Sequence, residues 1–252
     1  MPDNHELIAI MLTFLLAGTV KGVLGLGLPT VSLSLITLLA DLPTAMTLML
    51  LPSLVTNLWQ AFAGRHTSEA LNRFWPMLTV AGLSVALGGL LFNHIQAKWL
   101  AALLGLLVVL YSLISLVGIR LSISSTREQP AGLASGLING VLGGLTGSFV
   151  VPGVMYLQAL EMPRQMFIQS LGLLFSISTV FLAASLWFNG LLSQSLTQLS
   201  LWGVLPALMG MPLGQQLGKH IPDKHFRTLF FGSIGVIGAF ILFSNIATPL
   251  TQ

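Results

Sequence analysis

The sequence predicts an all-α polytopic membrane protein made of two inverted repeats. Each repeat is a Gly/Pro-broken re-entrant or short helical hairpin followed by three transmembrane helices. Three observations lead there: an apolar composition, landmarks that recur along the chain, and two over-long apolar segments interrupted by glycine and proline. Hydrophobic residues fill 54% of the 252 positions and charged residues only 7%, with a mean hydropathy of +0.90. A water-facing domain carries about 25% charged residues, so the lipid bilayer is this chain's first partner. The net charge is +3, but the Lys and Arg are scattered between apolar runs, which excludes nucleic acid as a partner. The absence of cysteine removes disulfides, thiolate metal sites and cysteine nucleophiles.

The duplication is read from paired motifs. Gly22-Val-Leu-Gly25 returns as Gly140-Val-Leu-Gly143, Asp41-Leu-Pro43 as Glu161-Met-Pro163, and His94-Ile-Gln-Ala-Lys98 as His220-Ile-Pro-Asp-Lys224. The pairs keep their order at intervals of about 120 residues, the signature of a transporter built from two structural repeats with its site where they meet.

The elements follow in order. Residues 1–120 form the first repeat, with a hairpin at 7–40 and helices at 44–63, 74–92 and 98–119. The polar stretch 121–130 is a cytoplasmic linker, and residues 131–252 form the second repeat, with a hairpin at 131–160 and helices at 165–188, 196–218 and 226–246. The N-terminus lacks the basic flank of a cleavable signal, so residues from 7 onward read as a retained membrane segment. Six of the eight apolar stretches match the roughly 20 residues of a spanning helix. The first and fifth are longer, and are broken at Gly22–Pro29 and Gly140–Pro152. Asp41 and Glu161 stand before a proline at a helix start, the ordinary chemistry of an N-terminal cap; the alternative is a proton-coupling carboxylate, but both fall at segment ends rather than at depth.

Positive charge decides whether the broken segments cross once or return. Single crossings would divide Lys and Arg almost evenly between the two sides. Hairpins leave Lys98 alone on one side and put Arg65, Arg73, Arg120, Arg127, Arg164, Lys219, Lys224 and Arg227 on the other. Short cytoplasmic loops are enriched in Lys and Arg, so the hairpins are preferred. Both termini then fall on the non-cytoplasmic side, and three full crossings per half invert one half relative to the other.

Candidate binding residues cluster at the breaks. Gly22, Gly25, Gly27 and Pro29 in the first, with Gly143, Gly144, Thr146, Gly147, Ser148 and Pro152 in the second, would aim helix N-termini and hydroxyls at an anion. The competing reading is a packing stripe, since Gly132, Gly136, Gly140 and Gly144 recur every fourth residue, as do Gly18 and Gly22. Lys21 is the basic residue embedded in an apolar run, a functional candidate by default. Snorkelling to the surface is its alternative. Its repeat mate is the uncharged Asn139. Asn57 on the following helix, with Gln169 and Ser170 in the other half, would complete a cavity, or else bond a neighbouring helix. Ser53, Thr56, Gln60, Ser176 and Ser178 are further polar candidates. The histidines lack metal-site spacing, and Ser148 has no histidine in an apolar run to activate it. The expectation is therefore neither cofactor nor metal, and not an enzyme.

Length near 250 residues, two related halves and a glycine-rich break ending in proline near the start of each resemble the TauE/SafE family of membrane permeases, the sulfite exporters. Gly22–Pro29, Gly140–Pro152 and the paired acid-x-Pro elements carry the resemblance. The first break departs from it: Gly25-Leu-Gly27 stands where the family commonly has a denser glycine run. The resemblance implies movement of sulfite, sulfoacetate or a similar organosulfonate across the bacterial cytoplasmic (inner) membrane. The resulting expectation is an exporter of a small anionic substrate held between the two hairpin tips, drawn by Lys21, with room for a homo-oligomer. The alternative is a membrane-embedded subunit or sensor without transport activity, its glycine stripes serving a partner.

Overall fold

The computed structural model describes residues 4–118, 122–220 and 223–247. Arg120 and Leu121, where the predicted linker begins, and both chain ends lie outside the described residues. Among those described there are ten α-helices and no strand. They are α1 (Asn4–Leu24), α2 (Leu28–Leu39), α3 (Leu42–Phe62), α4 (Thr67–Phe92), α5 (Ala97–Val117), α6 (Glu128–Thr146), α7 (Gly153–Gln158), α8 (Arg164–Phe188), α9 (Gln194–Leu217) and α10 (Asp223–Ala247). Seven of them, α1, α3, α4, α5, α8, α9 and α10, contain stretches long and apolar enough to cross a membrane. The protein is a multi-pass, all-α membrane protein.

Two boundaries differ informatively from expectation. α4 begins at Thr67 rather than near 74, because a helix end can carry Glu69 and Arg73 where it emerges from lipid. The second break is shorter than Gly140–Pro152: α6 continues to Thr146, and only residues 147–152 leave the helix. Gly140, Gly143 and Gly144 are therefore helical.

Close glycine contacts set the helix pairing. Gly136, Gly140 and Gly144 of α6 press on the carbonyls of Met77, Ala81 and Val85 of α4, where an added Cβ would stand 2.7, 2.2 and 2.3 Å away. Gly18 and Gly22 of α1 press likewise on the Ala207 and Met211 carbonyls of α9, at 2.2 and 2.1 Å. In lipid no hydrophobic force draws helices together, so such close backbone approach supplies the packing. Both registers ascend together, so α4 and α6 are parallel, as are α1 and α9. Gly82 beside Phe181 and Gly89 beside Ser185 make α8 parallel to α4. Gly105 beside Gly238 and Gly235 beside Ser112 make α5 and α10 antiparallel. The short loops 63–66 and 93–96 reverse the chain. Hence α1, α3 and α5 run one way, and α6, α8 and α10 the other. Each contact between halves also has its reciprocal: α1 with α9 answers α6 with α4.

Pro52 breaks the ladder inside α3, since proline has no N–H to donate. Ser200 of α9 repairs it: its hydroxyl donates to the Leu48 carbonyl at 2.8 Å and accepts from the Leu51 N–H at 3.1 Å. The outer surface is apolar, with Phe188, Leu90, Phe243 and all five tryptophans exposed toward lipid.

Candidate functional site

The site is built on one face of α3. Ser53, Thr56, Asn57 and Gln60 stand at helical spacing and are all buried. Lys21, from the last turn of α1, crosses to that face and is only 2% exposed, so it does not snorkel. Its ammonium donates to Thr56 Oγ1 at 3.2 Å and to Asn57 Oδ1. The Thr56 hydroxyl gives its own proton to the Pro52 carbonyl at 2.7 Å, which leaves its lone pairs for the lysine. Both acceptors are neutral, and among the described residues no carboxylate pairs with Lys21. An ammonium has three donors, so one N–H and the net charge remain for a ligand. The Asn57 amide Nδ2 beside it, and the Ser53 hydroxyl one turn away, have no partner among the described residues.

Gln60 closes the same face. Its Nε2 donates to the Gly25 carbonyl at 2.7 Å and to the Ile168 carbonyl at 2.8 Å, tying the first break to α8. That break is tight: Gly25 and Gly27 take φ of 76° and 111°, left-handed values that side chains rarely adopt. Pro29 then sits in the first turn of α2.

The second break is built differently. Residues 147–152 are irregular, with Gly147 at φ 73° packed on Met46 and Leu33. The return leg runs back beside α6: the Gly153 N–H donates to Asn139 Oδ1 at 3.1 Å, and the Tyr156 hydroxyl to the Glu128 carbonyl at 3.1 Å. The Ser148 N–H donates to Thr146 Oγ1 at 3.2 Å.

The two tips do not face each other across one site. Met46, beside Gly147, and Gln60, clasping Gly25, lie about four turns apart on α3, a separation of about 21 Å. Each tip approaches a different end of that helix, so an anion cannot touch both. Gly22, Gly143 and Gly144 are helical packing positions: Gly22 meets Met211 and Gly214, Gly144 meets Val85 and Gly88, and the Phe149 ring fills the space beside Gly143. Gln169 ties helix ends together, donating to the Ala61 carbonyl and Thr67 Oγ1 while accepting from the His66 N–H. Ser170 bonds the Met166 carbonyl within its own helix. Asp41 caps α3 through the Thr44 N–H at 2.8 Å, whereas Glu161 is exposed at φ 47° and makes no such cap.

A cavity of about 240 Å³ opens beside the first break, lined by Val23, Leu24 and Leu26 of that hairpin and by residues of α5, α7, α8 and α10. Among the lining residues are Arg164 and Arg227. Sequence reading passed over both, because a loop-end arginine in a membrane protein ordinarily marks only the cytoplasmic side. Among the described residues there is no group of three or more His, Asp or Glu able to hold a metal.

The model of the sulfite exporter TauE/SafE family matches residues 10–241, a span that holds both breaks, Lys21 and the α3 face. The chain belongs to the TauE/SafE family. Comparisons with curated proteins and with solved structures find no match. The family is one of sulfite exporters, that is, of transporters rather than enzymes, and its matched span begins inside α1 and ends inside α10.

Proposed function

We propose that this protein is a permease for a small sulfur-containing anion (sulfite, sulfoacetate or a similar organosulfonate), working as an exporter by alternating access of two inverted repeats. The observation that carries the reading is Lys21: a cation 2% exposed, held by two neutral oxygens. A charge at such a position costs several kcal/mol unless compensated. An anion arriving at the Lys21 ammonium and the Asn57 amide supplies the compensation, and leaves again because the site holds one cation rather than a cage. The substrate therefore sits against Lys21 and the α3 face, at a level between the two breaks rather than at either tip.

The opposed directions of the halves support rocking about that face. In a bacterial cytoplasmic membrane with both termini outside, an interior-negative potential favours expulsion of an anion by about 2.3 kcal/mol per charge per 100 mV. Export therefore needs no coupling ion. The subunit-or-sensor reading loses its motive, because Gly18, Gly22, Gly136, Gly140 and Gly144 are used inside the chain. The deciding experiment is flux from proteoliposomes, with sulfite, sulfate and small sulfonates in competition. Saturable efflux of sulfite or sulfoacetate, driven by the potential, is expected. Equal leak from empty liposomes would refute the reading.

A further inference from the structure

The cavity beside the first break combines two features that general packing does not explain. Four helices and a hairpin tip converge to leave about 240 Å³ open, smaller than the roughly 300–1,000 Å³ of a drug-sized site and suited to a small ligand. Its polar residues include two arginines from different helices, Arg164 at the start of α8 and Arg227 in the first turns of α10, together with Tyr111 and Gln158. No carboxylate whose side chain is described pairs with Arg164 or Arg227, the side chain of Asp223 lying outside those described. The Arg227 guanidinium carbon lies over the Phe231 ring, 5.9 Å from its centroid, at the outer limit of a cation–π contact. Both arginines are exposed, so their guanidinium groups meet water at the mouth of a partly apolar chamber that they share. Two like charges there repel one another unless an anion joins them.

We propose that this cavity is an anion-capture vestibule, in which Arg164 and Arg227 hold the oxyanion head of a small ligand before it passes to Lys21. The proposal rests on the permease reading for its second half only. Planar guanidinium forks suit sulfonate, sulfite and phosphate oxygens alike. The floor of the chamber is Ile168 and the first break, and Gln60 bonds the carbonyls of both Ile168 and Gly25. Gln60 thus acts as a latch between the vestibule and the Lys21 face.

The chain lacks cysteine, so Gln158→Cys in the full-length protein places one exposed thiol on the chamber wall. In vesicles of neutral phosphatidylcholine, the thiol is titrated with two methanethiosulfonates, one bearing a sulfonate and one a trimethylammonium. The sulfonate reagent is expected to react at least about tenfold faster, as a focused positive field dictates. That preference disappears when Arg164→Gln and Arg227→Gln are combined, and survives Arg164→Lys with Arg227→Lys. Slowing of the reaction by added sulfoacetate assigns the site to a free anion. Slowing only when phosphatidylglycerol is added assigns the same anion site to a lipid headgroup and overturns the hand-over to Lys21. Equal rates for the two reagents, or a preference that persists without the arginines, would overturn the vestibule. Lys21→Ala in this background separates the two proposals. Lost flux with the labelling preference intact supports both, whereas intact flux with the preference retained sinks the Lys21 reading and leaves the vestibule standing.

Discussion

The two broken hairpins begin alike and end in opposite uses of the same position. In the first, three residues make the turn and α2 restores a regular helix of 12 residues, with the Gly25 carbonyl taken by Gln60 of α3. In the second, six residues stay irregular and α7 spans only 6. Its backbone must borrow from side chains: Asn139 takes the Gly153 N–H, Thr146 the Ser148 N–H, and Tyr156 reaches back to Glu128. Irregular backbone inside a membrane demands this. The Asn139 oxygen is thus committed to its own hairpin, although its amide nitrogen keeps no partner among the described residues, while its repeat mate Lys21 leaves its hairpin and reaches α3. On the proposed function, one repeat holds the architecture and the other meets the substrate.

The sharpest way to break that comparison is at Lys21. Lys21→Ala is expected to lower proteoliposome flux by at least about 100-fold, the loss of a charged hydrogen bond of about 3 kcal/mol, with insertion and folding unchanged. Lys21→Arg should recover part of it. Flux within twofold of the parent in Lys21→Ala would end the claim that the first repeat carries the substrate contact.

Asn139→Ala tests the other side. Removing its oxygen orphans the buried Gly153 N–H and should cost about 1–3 kcal/mol of stability, measured as a lower midpoint of thermal unfolding in detergent. The substrate KM of the surviving folded protein should stay as it was. A changed KM with normal stability would mean that both repeats touch the anion.

How much of this could be read beforehand follows from where each signal resides. Lys21 stood out because one charge in an apolar run is visible locally, and the breaks because Gly and Pro act on their own backbone. Gly143 and Gly144 misled for the same reason: a helix-packing glycine and a loop glycine look identical until the Val85 carbonyl or the Phe149 ring is in place beside them. Gln169 was ambiguous between cavity and tether, and the tether is decided by His66, Ala61 and Thr67, about 100 residues distant in the chain. The chamber holding Arg164 and Arg227 needed four helices and the first hairpin placed together, and no local pattern contains that.

Gln60 sharpens the comparison further, because the latch belongs to the first hairpin. Gln60→Ala removes both bonds to Gly25 and Ile168. Each is worth about 0.5–1.5 kcal/mol net, so the tip should separate from α8 roughly tenfold more often. A thiol introduced by Ser53→Cys should then react correspondingly faster with a small water-soluble reagent. An unchanged rate would show that Gln60 is packing rather than a latch.

The smallest effect expected lies where the second repeat meets the first at their charged ends. Arg73 grips Glu128 with Nε on Oε1 at 2.6 Å and a second N–H on Oε2 at 2.9 Å, joining α4 to the head of α6. The hydrogen bond from Arg73 holds the Glu128 carboxyl below its ordinary value of 4.5. A depressed carboxyl contributes stability above its unfolded-state value and loses it as pH falls through the folded one. The parent should therefore exceed Glu128→Gln in stability near neutral pH, and the gap should close as the medium is acidified below the ordinary carboxyl range. Both partners are partly exposed, at 37% and 22%, so screening keeps the gap under about 1 kcal/mol. A gap that instead widens in acid would mean that the clasp is not ionic. The tie between the repeats at this end would then rest on the Gly136–Met77 packing and the Gln169 and Gln60 hydrogen bonds.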